Sequence, residues 1–267
     1  MRFFLITKKQ ILVNLFTILI FIIIFFIFFT FKDSNSFAIE FSKNSIASSE
    51  LMEQIANVNK NDEKVAFLTF DDGPTLSTTP KVLDILKEEN VKASFFVIGK
   101  YVDKHPEIVK REFDEGHYIA NHGYDHNNSI LYKSRDSFAN EIKKTDISIG
   151  KAIGIDNYCS RIFRFPNGFM SPNNKVQKKD ALKILSELNY VYIDWNCLNN
   201  DSVKKYSKEQ LLNNLKKSSK DKDILVVLMH DTKDVNDSSL VLKESISYLR
   251  SEGYQFKNFY DLFQNIV

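Results

Sequence analysis

The chain has 267 residues, of which 43% are hydrophobic and 26% are charged, which suits one globular domain with an appendage. Acidic and basic residues nearly balance, with a formal charge of +2, and Lys and Arg form no block beyond the extreme N-terminus. Nucleic acid and other polyanions are therefore not expected as partners.

The N-terminus combines positive charges with a long apolar run. Three basic residues fall within residues 1–10, and residues 11–31 contain only three polar side chains. A helix of this length spans a bilayer, and the leading charges predict a cytoplasmic N-terminus, so the rest of a single-pass cell-membrane protein is extracytoplasmic. A signal peptide cleaved near Ala38, which would yield a secreted protein, competes with this anchor, although the run is longer than a usual signal core.

The next segment and the long remainder differ in pattern. Residues 32–63 are rich in Ser, Asn, Lys and Glu without Gly or Pro, which predicts a tether with one short helix near residues 49–58. Over residues 64–267, short apolar strands alternate with amphipathic stretches, which predicts parallel β/α units. Strands are expected at 65–70, 92–98, 117–121, 161–165, 190–194, 224–229 and 254–257.

Helix start signals lie between these strands. Thr79 with Pro80, and Ser171 with Pro172, each offer an N-cap followed by Pro at the first helical position. Residues 207–210 read Ser-Lys-Glu-Gln, which is a capping box. About seven β/α units predict an incomplete barrel, whose chemistry is expected at the carboxyl ends of the strands.

The first strand ends at two adjacent carboxylates. Six residues that favour a buried strand run into Asp71 and Asp72, and Gly73-Pro74 then breaks the strand. Two neighbouring negative charges are unfavourable unless one holds a cation while the other keeps a role in proton transfer. This pattern indicates a metal site.

Candidate ligands for that cation follow about fifty residues later. His122 and His126 are four residues apart in a polar turn and converge on one ion if the turn is tight. With Asp72 they offer two nitrogens and one oxygen and leave positions open for water and substrate, as in catalytic zinc sites. The histidine pair alone is equally compatible with ordinary surface residues, and the two carboxylates favour the metal hypothesis.

Five short blocks follow one another along the chain. They are Thr69-Phe-Asp-Asp-Gly-Pro74, His122-Gly-Tyr-Asp-His126, Arg164-Phe-Pro-Asn-Gly168, Asp194-Trp195 and Leu228-Met-His230. In this order they resemble the signature motifs of the polysaccharide deacetylases, the NodB-like enzymes of carbohydrate esterase family four. The resemblance covers about residues 64–267 and implies a distorted (β/α) barrel, most like those of membrane-anchored peptidoglycan N-acetylglucosamine deacetylases.

The resemblance also implies a metal-dependent hydrolase of N-acetyl groups. The family pattern makes Asp72, His122 and His126 the ligands of a divalent ion, zinc in the first instance, with cobalt or another divalent ion as the alternative. Asp71 is then the general base that activates water, and His230 is the general acid that protonates the leaving amine.

Further roles are implied around these groups. The pattern places an oxyanion-stabilising backbone N–H at Asn167 and pairs Arg164 with Asp71. Asp194 is expected to keep His230 charged and oriented. Arg164 and Asp194 are also compatible with ordinary ion pairs at a barrel rim.

Three apolar or aromatic residues complete the implied site. Trp195 and Leu228 are expected to line the acetyl pocket, although large apolar residues near strand ends often pack in the core. Tyr124 is expected either to stack on a sugar or to cover the metal loop.

Other positions qualify the resemblance. Gly123 replaces a frequent Ser or Thr of the family, which predicts weaker bracing of the metal loop, and Asn167 replaces a frequent Tyr.

The sequence does not decide whether Cys159 and Cys197 form a disulfide. Two cysteines are too few for a disulfide framework in a domain of this size.

The predicted activity is deacetylation of a cell-wall glycan by a monomer, with peptidoglycan N-acetylglucosamine as substrate. Peptidoglycan N-acetylmuramic acid, chitin-type oligomers, poly-N-acetylglucosamine and acetylated xylan are the alternatives. The muramic-acid branch of the family often has a second Arg where this chain has Asn167.

Three other classes compete with a deacetylase. A glycosidase needs two carboxylates about 5–9.5 Å apart across a glycosidic bond, which adjacent Asp71 and Asp72 do not provide. An iron oxygenase uses the same ligand types but needs neither Arg164 nor His230. A catalytically silent carbohydrate-binding module would have no need of Asp71 and His230.

Overall fold

The computed structural model describes residues 64–232 and 235–263. The predicted membrane span at 11–31, the cleavage site near Ala38 and the tether at 32–63 lie outside the described residues. Within the described ranges, no helix combines the length and the apolar character needed to cross a bilayer.

Among the described residues, eight parallel strands form one sheet. They are β1 (Val65–Asp71), β2 (Ser94–Val97), β3 (Tyr118–Asn121), β4 (Ile162–Phe163), β5 (Val191–Tyr192), β6 (Cys197–Leu198), β7 (Ile224–His230) and β8 (Gln255–Lys257). The order along the sheet is β5-β4-β3-β2-β1-β7-β6, and β8 pairs with the amino half of β1. The sheet curls into a half-barrel, so the predicted incomplete barrel is confirmed.

Helices occupy the connections between the strands. They are α1 (Thr79–Glu88), α2 (Gly99–Lys104), α3 (Pro106–Asp114), α4 (Asn128–Leu131), α5 (Arg135–Ile153), α6 (Lys175–Glu187), α7 (Lys208–Ser219), α8 (Ser239–Ser251) and α9 (Tyr260–Phe263). A large apolar core lies between these helices and the sheet.

The residues of β1 show how the fold prepares the site. All seven are buried, as expected for a parallel strand that is covered on both faces. Val65 and Phe67 belong to an apolar cluster on the inner face of the sheet, together with Phe259 next to α9. Thr69 and Asp71 continue the same row by strand alternation, so the barrel interior becomes polar at the carboxyl ends of the strands.

Strand register brings distant residues together at this end. β1 and β7 pair along seven residues, which places Asp71 directly beside His230. Asn121 of β3 is the partner of Phe163 of β4, so the residues that follow them are also neighbours. The side chains predicted to act together therefore share one edge of the sheet.

The predicted elements are largely present. All seven predicted strands exist, and the capping box at 207–210 forms at the start of α7. β6 was not predicted, because two residues are too short for a periodic signal. The helix expected at Ser171 is wrong in its start, since α6 begins at Lys175, after Asn174 in a left-handed conformation.

Candidate active site

The predicted metal ligands come together beyond the carboxyl ends of β1 and β3. Asp72 follows β1, and His122 and His126 lie in the loop after β3. Asp72 Oδ1 is 3.4 Å from His122 Nε2 and 3.3 Å from His126 Nε2. One ligand atom from each of the three residues lies within 4.8 Å of the others. The spacing suits a single shared cation.

The chemistry of these atoms also fits a cation. Asp72 Oδ1 is buried and has no hydrogen-bond partner among the described residues. His122 Nδ1–H donates to the carbonyl oxygen of Arg164 at 2.9 Å, which leaves the Nε2 lone pair directed at the site. Two imidazole nitrogens and one carboxylate oxygen form a donor set that zinc accepts readily.

Electrostatics within the cluster favour the ligating forms of Asp72 and His126. Burial opposes ionisation of Asp72, but the nearby imidazole of His122, followed by that of His126, holds its pKa well below the ordinary value. Burial and the charge of His122 lower the pKa of His126, which favours the neutral imidazole. Burial also opposes the charged form of His122, yet Asp71 and Asp72 raise its pKa, so cation binding there is coupled to proton release.

The backbone around the ligands is unusual and braced. Asp72 and His126 have φ angles of 74° and 55°, in the left-handed region. This backbone conformation is costly for residues other than Gly and persists only where the surrounding contacts hold it. The carboxylate of Glu141 accepts the N–H groups of Tyr124 and Asp125, both at 2.9 Å. Glu141, a buried acid on α5, was not predicted to contribute. It braces the metal loop, for which the sequence predicted weaker bracing because Gly123 has no hydroxyl.

Arg164 contacts Asp71, as expected. Arg164 is 0% exposed, and its Nη1–H donates to Asp71 Oδ1 at 2.7 Å. It also donates to Thr69 Oγ1 at 2.8 Å and to the carbonyl of Ile193 at 2.9 Å, and it lies 3.8 Å above the ring of Phe96. The other Asp71 oxygen is 3.8 Å from His122 Nε2, so this carboxylate borders the metal cluster.

His230 has a different partner from the one predicted. Its Nδ1–H donates to Asp201 Oδ1 at 2.7 Å, and its backbone N–H donates to Asp201 Oδ2 at 2.8 Å. The hydroxyl of Ser238 also donates to Asp201, which is 2% exposed. Burial opposes the charged imidazole, but the hydrogen bond and charge of Asp201, followed by Asp71 and Asp72, raise the pKa of His230 to about 9.

The predicted pairing of Asp194 with His230 is therefore wrong. Asp194 follows β5, at the far end of the sheet from β7, whereas Asp201 follows β6, which is hydrogen-bonded to β7. The available sequence signal for Asp201 was its position in a polar loop shortly after an apolar dipeptide. The Asp194 carboxylate instead accepts the N–H of Phe169 at 2.9 and 3.0 Å and that of Met170 at 3.3 Å.

Asn167 lies in a tight turn after β4. Gly168 N–H donates to the carbonyl of Phe165 at 2.7 Å across Pro166 and Asn167, whose φ of 63° is typical of the third position of a type II turn. Among the described residues the Asn167 N–H has no acceptor. It is available to a ligand.

The three residues expected to contact substrate occupy different surroundings. Trp195 is half-buried against Gly168, where an added Cβ would lie 2.7 Å from the indole ring.

Leu228 is 7% exposed and pairs in register with Thr69, and it lies in the same row of β7 side chains as His230. The Tyr124 hydroxyl donates to Asp103 of α2 at 2.9 Å, and the Tyr124 ring lies beside Gly99 of the same helix.

Both cysteines are free thiols in the described part of the chain. Burial raises the pKa of Cys159 to about 12 and that of Cys197 to about 11, so both remain protonated at neutral pH. The disulfide left open by the sequence is not formed, and Cys197 belongs to the apolar core.

The chain is similar to known proteins in sequence. Residues 58–193 match the family model of the polysaccharide deacetylases. The chain is 36% identical to a peptidoglycan N-acetylglucosamine deacetylase of Bacillus cereus, over 74% of this chain and 67% of that protein. It is 30% identical to a peptidoglycan N-acetylmuramic acid deacetylase of Bacillus subtilis, over 75% of this chain and 72% of that protein.

A solved structure shows the same architecture. The catalytic domain of a peptidoglycan N-acetylglucosamine deacetylase from Eubacterium rectale superimposes with a TM-score of 0.67 at 28% identity. The match covers 73% of this chain and 88% of that domain.

Proposed function

This chain belongs to the polysaccharide deacetylase family, and from that premise we propose that it hydrolyses N-acetyl groups of peptidoglycan N-acetylglucosamine, releasing acetate and a free amine. The observation that carries the proposal is the convergence of Asp72, His122 and His126 beside Asp71, with His230 across the same strand end. The membrane anchor at 11–31 and the monomeric state stay predictions. With that anchor, the protein would act on the outer side of the cell membrane.

The proposed metal centre is held by Asp72, His122 and His126. A bound divalent cation, with zinc as first choice, supplies Lewis-acid polarisation of the acetamide carbonyl and lowers the pKa of water. Asp71 takes the proton of the attacking water, and the hydrogen bond from Arg164 holds this carboxylate in position. The Asn167 N–H donates to the oxygen on which negative charge develops.

His230 completes the proposed reaction. An amine leaves poorly as an anion, so a proton must reach the nitrogen as the C–N bond breaks. With a pKa raised to about 9, His230 carries that proton at neutral pH, and Asp201 holds its Nδ1–H so that Nε2–H faces the site. Two acid–base groups, Asp71 and His230, thus flank the reacting centre on neighbouring strands.

The proposed activity predicts acetate release that depends on a divalent cation. The full chain, purified in detergent, is incubated with peptidoglycan sacculi, chitin oligomers and acetylated xylan, with and without a chelator. We expect acetate from sacculi, loss of activity with chelator and recovery with zinc, whereas Asp72→Asn should stay at background after zinc addition. Mass spectrometry of the digested sacculi then identifies the sugar that lost its acetyl group.

No acetate from any of these substrates in the presence of zinc would reject the hydrolase and favour a silent binding module. Loss of acetyl groups from N-acetylmuramic acid alone would reject the proposed sugar but keep the reaction.

The pairing of His230 with Asp201 predicts a pH effect. The charged imidazole is the working acid, so activity declines as pH rises through its pKa, which Asp201 helps to raise above the ordinary value. Asp201→Asn removes that charge, so the alkaline limb of the kcat profile should move to lower pH. Asp194→Asn is the matched control, and its alkaline limb should stay in place because Asp194 does not contact His230. A shift produced by Asp194→Asn instead would contradict the assignment.

A further inference from the structure

The loop that presents the Asn167 N–H is held by two charged side chains from outside the loop. Lys178 of α6 is 1% exposed, and its Nζ donates to the carbonyl oxygens of Gly168 at 2.6 Å and Ser171 at 3.2 Å. Asp194, which follows β5, accepts the N–H groups of Phe169 and Met170. Neither side chain has a part in the proton transfers proposed above.

These contacts meet on one peptide group. In the peptide that joins Gly168 to Phe169, the carbonyl oxygen accepts a hydrogen bond from Lys178 and the N–H donates one to Asp194. A cation and an anion thus hold the two ends of the same peptide dipole, and charge-assisted hydrogen bonds of this type are about twice as strong as neutral ones. This peptide lies two peptide groups beyond the one that carries the Asn167 N–H, at the exit of the same tight turn, so holding it restrains the turn that presents this N–H.

The burial of Lys178 is informative. A buried ammonium group is costly unless hydrogen bonds replace its water, and Lys is rarely fully buried without such partners. Here its acceptors are the backbone carbonyl of Gly168, in the turn where Asn167 and Gly168 have φ angles of 63° and 78°, and that of Ser171 beyond the turn. The indole ring of Trp195 packs against Gly168 of this turn. The lysine therefore stabilises a specific loop shape.

We propose that Lys178, acting with Asp194, is a positioning residue that fixes the Asn167 N–H toward the developing oxyanion. The inference rests on the proposed function, since the oxyanion belongs to that reaction. It also assigns Asp194 a place in the site other than the one expected from the sequence. Because a misplacement of about 1 Å can cost about a hundredfold in rate, a side chain that does not touch substrate can still affect turnover strongly.

The test compares Lys178→Met with Lys179→Met. Methionine keeps most of the lysine length without the donor, and Lys179 is an exposed neighbour on the same helix. For Lys178→Met we expect kcat to fall about tenfold to a hundredfold, with KM changed less than about threefold and zinc content unchanged. Lys179→Met should match the wild type. Equal kcat values for the two variants would overturn the proposal.

A second measurement is independent of activity. Amide hydrogen exchange of the full chain should be faster at Phe169 and Met170 in Lys178→Met than in Lys179→Met. Unchanged exchange at these amides would also overturn the proposal. If the wild type releases no acetate, the proposed function fails, while the exchange result still decides whether the loop is held as described.

Asp194→Asn provides a variant on the opposite side of the peptide. It removes the charged acceptor but leaves Lys178 in place, and should lower kcat in the same range without changing zinc content. Because both side chains hold one peptide, the double variant should lose less than the product of the two single effects. A fully multiplicative loss would contradict a shared peptide. If Lys178→Met does not fold, Asp194→Asn decides the outcome by its kcat and exchange rates.

Discussion

Replacing Asp71 with Asn should lower kcat for acetate release by about 10²–10⁴-fold, the range associated with a positioned general base. Asn has nearly the size of Asp and keeps an oxygen that accepts from Arg164 Nη1, which is 2.7 Å from the native carboxylate. It cannot take a proton from water. Since Asp71 is absent from the proposed ligand set, zinc content should stay close to the wild-type value, and acetate release at saturating substrate measures the loss.

Asp84→Asn is the matched control for the Asp71 variant. Asp84 lies in α1 with its side chain 70% exposed, where it pairs with Arg111. Its activity should remain within about twofold of the wild type, because surface substitutions of this kind are usually small in effect. If Asp71→Asn kept more than a tenth of the wild-type kcat, another group would have to be the base.

Arg164→Met should reduce the free energy of unfolding by about 3–5 kcal/mol, as expected when one partner of a buried ion pair is removed. Arg164 is 0% exposed and Asp71 is 3% exposed, so water cannot take over the hydrogen bonds of the lost guanidinium. The carboxylate of Asp71 then remains in a dry site without its cation. Total stabilities of domains are about 5–15 kcal/mol, so urea denaturation should show a large shift of the midpoint.

Arg135→Met is the control for this effect. Arg135 pairs with Glu187 on the surface, with side chains 56% and 57% exposed. Exposed pairs contribute about 0–1 kcal/mol, so the midpoint should barely move. The double variant Arg164→Met with Asp71→Asn should recover part of the lost stability, since a neutral amide replaces the unpaired charge. A cost below about 1 kcal/mol for Arg164→Met would show that the pair is not structurally important.

Local patterns determined the repeating architecture and the core of the site. Buried parallel strands read as continuous apolar runs, and their carboxyl ends meet at one edge of the sheet. Polar residues that follow such runs are therefore neighbours even when they are far apart along the chain. Asp72 and His122 could be placed together for this reason, whereas the pairing of Asp71 with Arg164 was implied by the family resemblance. The predicted membrane span at 11–31 stays a prediction.

The side chains that support these groups could not be predicted in the same way. Asp194 and Asp201 both follow short strands and are seven residues apart, so sequence pattern alone does not distinguish them. β6 has two residues and exists only because it pairs with β7, which brings Asp201 beside His230.

Lys178 and Glu141 illustrate the same limit on helices. Both are charged residues that an amphipathic pattern assigns to solvent, yet both are buried, with exposures of 1% and 4%. Their acceptors and donors are backbone groups of loops that follow other strands. Periodicity along the sequence therefore determined which residues end the strands. Strand pairing and helix packing, which join distant segments, decided which charges orient those residues, because hydrogen bonds form between neighbours in space.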